Sequence, residues 1–140
     1  GLALEVGRLL AEAGITVACG GLGGVMEAVC RGSSEKGGIS IGFLPGEREK
    51  ANPYVTIPVS TGLGEARNIL VVSSGEAVIA IGGAFGTLSE IGFALKLEKP
   101  LVGLNTWTVT DDEGNTYPER TAATPGEAVD MILVITGGGK

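Results

Sequence analysis

The chain has 140 residues, 44% of them hydrophobic and 19% charged, which fits one globular domain over residues 1–140 and is too small for two well-cored ones. Its net charge of −6, with Lys and Arg scattered along the chain, argues against a nucleic-acid partner, because phosphate-tracking surfaces need clustered cations. The chain contains no histidine. Imidazole-based nucleophile triads and His-containing metal sites are therefore excluded, and we predict no metal site.

Glycine is the compositional anomaly, at 25 of 140 residues, against a usual frequency of roughly 7%. There is no G-X-Y period, and the chain is too hydrophobic for a disordered linker. We therefore expect the glycines to serve particular backbone geometries.

The cysteines and apolar runs indicate a reduced, cytoplasmic protein. Cys19 and Cys30 lack the further ligands that a metal site needs, so we predict small reduced core residues. No apolar run approaches the roughly 20 residues that span a bilayer, and no signal peptide opens the chain. We expect no membrane partner.

Helical and extended patterns alternate along the first half of the chain. In chain order the predicted elements are a helix from Leu2 to Ala13, a strand from Ile15 to Ala18, a helix from Val25 to Lys36, a strand from Ile39 to Leu44 and an extended segment from Tyr54 to Val59. Gly14 and the Gly37–Gly38 pair end the two helices. The polar stretch from Gly46 to Asn52 is a predicted surface loop.

The alternation continues in the second half. The predicted elements are a helix from Gly64 to Ser74, a strand from Ala77 to Ile81, a helix from Thr87 to about Leu97, a strand from Leu101 to Leu104 and a helix from Gly126 to Val134. The segment from Asn105 to Thr124 is polar and rich in turn residues, with a predicted exposed turn at Asp111, Asp112, Glu113 and Gly114.

This alternation predicts an α/β domain with a mostly parallel sheet. The chain opens with a helix followed by a strand, whereas in the common doubly wound order the first strand lies centrally and feeds the first helix. We therefore expect that strand to be missing from this chain and the polypeptide to begin upstream of Gly1.

The strongest local signal is the glycine turn from Gly82 to Gly86, between a buried strand and a helix that begins near Thr87. Free backbone N–H groups and the positive end of the helix dipole make such a turn an anion site. It is neither a P-loop, since no Lys follows Gly86, nor a G-x-G-x-x-G fingerprint. A structural interpretation stays open as well, because Thr87 and Glu90 have the spacing of a capping box.

A second glycine turn, formed by Gly20, Gly21, Leu22, Gly23 and Gly24, also connects a strand to a helix. Turns that follow parallel strands lie at the same edge of the sheet, where ligands of open α/β folds bind. Their convergence favours a binding site, although either turn alone is compatible with tight-turn chemistry.

Arg67 stands in the first turn of its predicted helix, where the dipole disfavours a cation. A phosphate or carboxylate held by the guanidinium fork, or a plain ion pair with a nearby acidic side chain, would compensate, and both remain open. If Arg67 and Glu90 face the same cleft, one can hold an anion while the other accepts hydrogen bonds from sugar hydroxyls or assists departure at an anomeric carbon.

Four motifs in this order resemble the molybdenum cofactor carrier protein family, which belongs with the LONELY GUY phosphoribohydrolases in a Rossmann-like superfamily often labelled "putative lysine decarboxylase". The resemblance extends from about Gly1 to Asn105. The motifs are Gly20-Gly21-Leu22-Gly23-Gly24-Val25-Met26-Glu27-Ala28, Gly37-Gly38 with Ile41-Gly42-Phe43-Leu44-Pro45, Thr61-Gly62-Leu63-Gly64-Glu65-Ala66-Arg67-Asn68, and Gly82-Gly83-Ala84-Phe85-Gly86-Thr87-Leu88-Ser89-Glu90.

The resemblance implies a three-layer, Rossmann-like, doubly wound fold, assembly as homodimers or homotetramers, and a pocket for a phosphorylated nucleotide-like ligand at the glycine turns. No cofactor is required; the expected bound ligand is a nucleotide, phosphate or molybdenum cofactor. The expected ligand-binding residues are Gly20, Gly21, Gly23, Gly24, Met26, Arg67, Asn68, Gly82, Gly83, Gly86 and Thr87.

The resemblance also separates two functions. In LONELY GUY enzymes an arginine and a glutamate that match Arg67 and Glu90 are catalytic and cleave the N-glycosidic bond of nucleoside monophosphates. Those enzymes usually have Lys where this chain has Asn68 and Pro where it has Ile81, and both departures favour a carrier-type binding protein. A phosphoribohydrolase remains the alternative. Lysine decarboxylation gains no support, because Lys96 and Lys99 lie at a predicted helix end.

Overall fold

A computed structural model describes residues 1–47 and 50–137. The first half contains helix α1 (Leu2–Glu12), strand β1 (Val17–Cys19), helix α2 (Val25–Glu35), strand β2 (Ser40–Leu44) and strand β3 (Ile57–Ser60). A 3₁₀ turn (Gly64–Arg67) then leads into helix α3 (Asn68–Ser74). The remaining elements are strand β4 (Val78–Gly82), helix α4 (Phe85–Lys96), strand β5 (Leu101–Thr106), strands β6 (Val109–Thr110), β7 (Thr116–Tyr117) and β8 (Arg120–Ala122), and helix α5 (Pro125–Thr136).

The main strands are parallel, as predicted, but they form two three-stranded sheets in the orders β1-β2-β3 and β4-β5-β8. Within the described ranges no ladder joins β1 to β4, so these parallel strands do not form one continuous sheet. The α/β fold with alternating helices is confirmed. The expected strand upstream of Gly1 stays a prediction.

Helices cover both faces of the sheet that contains β4. Ile79 and Ile81 of β4 pack in the larger core with α1, α2 and α5. Val78 and Ala80, which point to the opposite face, pack with α3 and α4. Because side chains alternate along a strand, one short apolar run supplies both cores.

Helices α1 and α2 contact each other backbone to backbone through two glycines. A Cβ atom at Gly7 would overlap the carbonyl oxygen of Val29, and one at Gly32 would overlap that of Leu4. The helical composition of this region was read correctly from the sequence, but the glycines inside the helices were not recognised as a packing device. Part of the glycine excess therefore serves helix packing rather than turns.

The segment from Asn105 to Thr124 contains more structure than predicted. Strands β6 and β7 form an antiparallel hairpin, whose turn is closed by backbone N–H bonds from Glu113 and Asn115 to the Asp111 carboxylate at 3.0 and 2.9 Å. Strand β8 adds to β5 in parallel. The exposed turn predicted at residues 111–114 is found between β6 and β7. Strand β8 was not predicted, because two of its three residues are exposed and it lacks an apolar signal.

None of the helices in the described part of the chain has the length and apolar character needed to cross a membrane.

Candidate functional site

The first glycine turn, between β1 and α2, is shaped by close approaches. A Cβ atom at Gly20 would lie 2.6 Å from Sδ of Met26 and 3.0 Å from Nη2 of Arg67, and one at Gly21 would lie 2.7 Å from Cδ2 of Leu44. Gly21 also has a φ of +77°, which disfavours a side chain. At Gly23, by contrast, no described atom lies within 4 Å of the Cβ position. The turn is therefore packed on its inner side and open at its tip.

Asn52 stabilises this turn by hydrogen bonds to its carbonyl groups. Its backbone N–H donates to the Gly21 carbonyl at 2.8 Å, and its side-chain amide donates to the carbonyls of Leu22 at 2.9 Å and Gly21 at 3.3 Å. The Asn52 side-chain oxygen in turn accepts from the N–H of Tyr54 at 3.0 Å. The sequence predicts that this buried residue ends a surface loop. Nothing in its local sequence distinguishes an asparagine that stabilises a distant turn from an ordinary turn asparagine.

Cys19 and Cys30 lie beside the same turn as free thiols, with their sulfur atoms 3.4 Å apart. The N–H of Gly21 donates to the Cys19 sulfur at 3.4 Å. The hydrogen bond with Cys30, together with burial, raises the pKa of the Cys19 thiol. Cys30 is buried, as predicted for a core residue, whereas Cys19 is half-buried. That both thiols are reduced stays a prediction, and the contact between them was not predicted.

The second glycine turn, between β4 and α4, leaves the start of the helix without a side-chain cap. The N-cap residue is Ala84, and no described side chain accepts a hydrogen bond there. Thr87 is the third residue of the helix, and its hydroxyl lies 3.4 Å from the carbonyl oxygen of Ile81. The capping box of Thr87 and Glu90 is therefore not formed, because α4 begins at Phe85, two residues earlier than predicted. The first-turn N–H groups keep their capacity to bind an anion.

Arg67 ends the 3₁₀ turn and is only 3% exposed. Its Nη1 atom donates to Oδ1 of Asn68 at 2.8 Å and to Oε1 of Glu65 at 3.2 Å. The buried Nε atom has no hydrogen-bond partner within residues 1–47 and 50–137. An ion pair with an acidic side chain, one of the two alternatives that the sequence leaves open, is present, but the Glu65 carboxylate is exposed, and exposed partners contribute little. The guanidinium thus retains an unused donor.

A chain of hydrogen bonds joins Arg67 to the first turn of α4. Asn68, which is 4% exposed, donates from its amide to the Ser89 hydroxyl at 2.9 Å, and that hydroxyl donates to the Gly86 carbonyl at 2.8 Å. The oxygen of Asn68 is already taken by Arg67. In this structure Asn68 therefore positions Arg67 against α4, and its predicted contact with ligand stays a prediction.

Glu90 lies half-buried one turn further along α4 and shares this region with Arg67. Burial raises the pKa of Glu90 to about 7, and the positive charge of Arg67 opposes that rise. A carboxyl group with such a pKa exchanges its proton near neutral pH, which is a property of general acids and bases.

The two glycine turns and the arginine motif converge. A Cβ atom at Gly82 would lie 3.4 Å from Val25 of α2, so the turns touch each other. Arg67 reaches the first turn at Gly20 and the second through Asn68. Gly83 is exposed at the second turn, with no described atom within 4 Å of its Cβ position. The predicted ligand-binding residues therefore come together, while their role in binding stays a prediction.

This arrangement defines a Rossmann-like α/β protein with glycine turns and a buried arginine at one edge of its sheets. More narrowly, the chain matches the SLOG cluster4 family over residues 1–130 and belongs to that family. It is 40% identical over 132 residues to an uncharacterised protein of Archaeoglobus fulgidus, with 94% of this chain and 83% of the relative covered.

Two solved structures extend the comparison. The molybdenum cofactor binding protein of Rippkaea orientalis is 33% identical with a TM-score of 0.84, over 96% of this chain and 86% of its own. The molybdenum cofactor carrier protein of Chlamydomonas reinhardtii is 31% identical with a TM-score of 0.84, over 97% of this chain and 86% of its own. The family resemblance drawn from the four motifs is confirmed.

Proposed function

We propose that this chain is a carrier-type binding protein for a phosphate-bearing, nucleotide-like small molecule, with molybdenum cofactor as a candidate cargo. The observation that carries the proposal is the buried Arg67, whose Nε atom lacks a partner in the described structure and whose side chain is tied to the uncapped start of α4. A buried guanidinium with an unused donor is costly unless something satisfies it.

The phosphate of the ligand would accept hydrogen bonds from the N–H groups in the first turn of α4. The nearby Arg67 would supply positive charge. Helix N-termini favour anions through their free donors and their dipole. Gly83 and Gly23, both open at their Cβ positions, let a ligand approach the backbone at the two turns. Molybdenum cofactor is the candidate cargo because the two structural relatives, each about one-third identical to this chain, are a molybdenum cofactor binding protein and a molybdenum cofactor carrier protein.

Calorimetric titration tests this function, with ribose 5-phosphate, AMP and molybdenum cofactor as separate ligands. The proposal predicts saturable one-to-one binding of at least one of them, and at least a tenfold loss in Arg67→Ala and Arg67→Gln. Arg120→Ala, which removes an exposed arginine from the edge strand β8, is the matched control and should bind as the wild type does. No heat with any of the three ligands would refute the proposal.

The same proposal includes assembly as a homodimer or homotetramer. The exposed apolar side chains of Leu95 and Leu97 at the end of α4 support it. Native mass spectrometry gives the stoichiometry directly, and a monomer at micromolar concentration would contradict this part alone.

A second candidate function, the phosphoribohydrolase, is favoured by one observation, the raised pKa of Glu90 beside Arg67. Hydrolysis of AMP would consume one water, break the bond between the base and the anomeric carbon, and release adenine and ribose 5-phosphate. Chromatography of AMP incubated with the protein detects free adenine. The carrier assignment predicts none; adenine that disappears in Glu90→Gln would instead establish the hydrolase.

A further inference from the structure

The largest exposed aromatic surface of the described chain lies at the start of α4. Phe85, the first residue of that helix, is 81% exposed. Its ring stacks on Trp107 with centroids 5.9 Å apart and planes inclined by 29°. One face of the phenyl ring is thus supported by another aromatic ring while the remainder faces solvent.

Trp107 is itself held in place, so Phe85 and Trp107 together form an ordered aromatic platform. The indole Nε1 atom donates to the carbonyl oxygen of Ala84 at 3.0 Å, directly before Phe85. The indole also packs against the core cluster formed by Val72, Ala80, Ile91, Ala94 and Leu101. Since its support is anchored to both core and backbone, the exposed ring has a defined place, which lowers the entropic cost of stacking another ring on it.

The platform adjoins the candidate anion site. Phe85, Gly86 and Thr87 are the first three residues of α4, where the unsatisfied N–H groups lie. Gly86 is joined to Arg67 through Ser89 and Asn68, and the buried Nε of Arg67 has no hydrogen-bond partner in the described structure. A phosphate bound here would bring the rest of its molecule beside the Phe85 ring.

We propose that Phe85 determines specificity by stacking on a planar heteroaromatic ring carried by the phosphate-bearing ligand, a purine or a pterin. This inference rests on the proposed function and refines it by naming the side chain that recognises the ring of the ligand. Stacking on aromatic side chains is tolerant of ring identity because every heteroaromatic ring has a π face. The platform therefore distinguishes ligands with such a ring from bare sugar phosphates.

The test compares AMP, which has the ring, with ribose 5-phosphate, which lacks it. Wild type should bind AMP about 5 to 150 times more tightly, the range expected for stacking of one base. Phe85→Ala should lower AMP affinity to near that of ribose 5-phosphate and leave the latter within twofold, whereas Phe85→Tyr should keep the preference. Val134→Ala, which shortens an equally exposed apolar side chain on α5, is the matched control and should change neither affinity.

Fluorescence supplies a direct readout, since Trp107 is the only tryptophan of the chain. When Trp107 is excited at the red edge of the indole band, its fluorescence should be quenched saturably by AMP and not by ribose 5-phosphate. Equal affinities of wild type for the two ligands, or an AMP preference that persists in Phe85→Ala, would overturn the inference while leaving the phosphate site standing. A smaller oligomer in native mass spectra of Phe85→Ala would also overturn it, by assigning Phe85 to a contact between copies. Binding of neither ligand to wild type would overturn it too, and the calorimetric panel then decides whether the proposed function survives with another cargo.

Discussion

The Nη1 atom of Arg67 lies 2.8 Å from Oδ1 of Asn68, and both side chains are almost completely buried. This bond orients the guanidinium between the two glycine turns. The site depends on this pair because Asn68 also reaches α4 through Ser89.

Replacing Asn68 therefore affects stability and binding differently according to the substitute. In Asn68→Ala the buried guanidinium loses an acceptor, which should cost about 1–3 kcal/mol of unfolding free energy and weaken phosphate binding. In Asn68→Asp an ion pair with Arg67 replaces the lost bond, so stability should fall less, while the added negative charge should weaken anion binding more than alanine does. Urea unfolding and calorimetry with ribose 5-phosphate measure the two effects. The same order of variants in both measurements would contradict this account.

We expect the stability of the protein to depend on pH because folding raises the pKa of Glu90. Its folded-state pKa is raised to about 7 from an ordinary value of 4.5, so the folded protein holds this proton more tightly than the unfolded chain does. The stabilising contribution is fully present below about 4.5 and is lost as the pH rises through about 7. Urea unfolding should show that wild type loses stability relative to Glu90→Gln across this window. The exposed Glu113→Gln is the control, and parallel pH curves for wild type and Glu90→Gln would contradict the assignment.

The contact between α1 and α2 predicts an unusual response to alanine. An exposed helical glycine replaced by alanine normally gains about 0.4–1 kcal/mol. Gly7→Ala and Gly32→Ala should instead lose about 1–3 kcal/mol or more, because each new methyl group meets backbone that cannot move aside. Gly92→Ala in α4, where no described atom lies within 4 Å of the Cβ position, is the matched control and should stabilise. Thermal unfolding of the three variants suffices, and stabilisation by all three would refute the close packing.

We expect that replacing Asn52 will loosen the first glycine turn locally. Asn52→Ala removes the side-chain donors from the carbonyls of Gly21 and Leu22 and should cost about 1–3 kcal/mol. Hydrogen exchange should accelerate at the buried Gly21 amide, which donates to the Cys19 sulfur at 3.4 Å, while the β4–β5 ladder keeps its protection. Asn115→Ala, which removes an asparagine from the exposed β6–β7 turn, should leave the glycine turn unchanged. Unaltered exchange at Gly21 in Asn52→Ala would show that Asn52 does not hold the turn.

Much of the fold was predictable because its signals are local. The apolar run ending at Ile81 and the glycine turn after it predicted β4 and the start of α4 to within two residues. The position of the two glycine turns at one edge was also predictable, because parallel strands bring their carboxyl ends together. The sequence left open whether Arg67 lies beside them.

The remainder depends on contacts between distant segments. Asn52 acts on a turn thirty residues away, Trp107 supports Phe85 from the end of β5, and Gly7 matters only because α2 lies against it. None of these residues differs locally from an ordinary loop asparagine, a core tryptophan or a helical glycine. Strand β8 was missed for the related reason that pairing with β5, and not its own apolar pattern, makes it a strand.

The central claim is that a phosphate-bearing ligand binds at the two glycine turns, and backbone amide NMR during a titration with AMP tests it most directly. The account predicts that the amide resonances of residues 20–24 and 83–87 shift together along one saturable curve, and that these shifts vanish in Arg67→Ala. Saturable shifts confined to other residues, or no saturable shift at either turn, would contradict it.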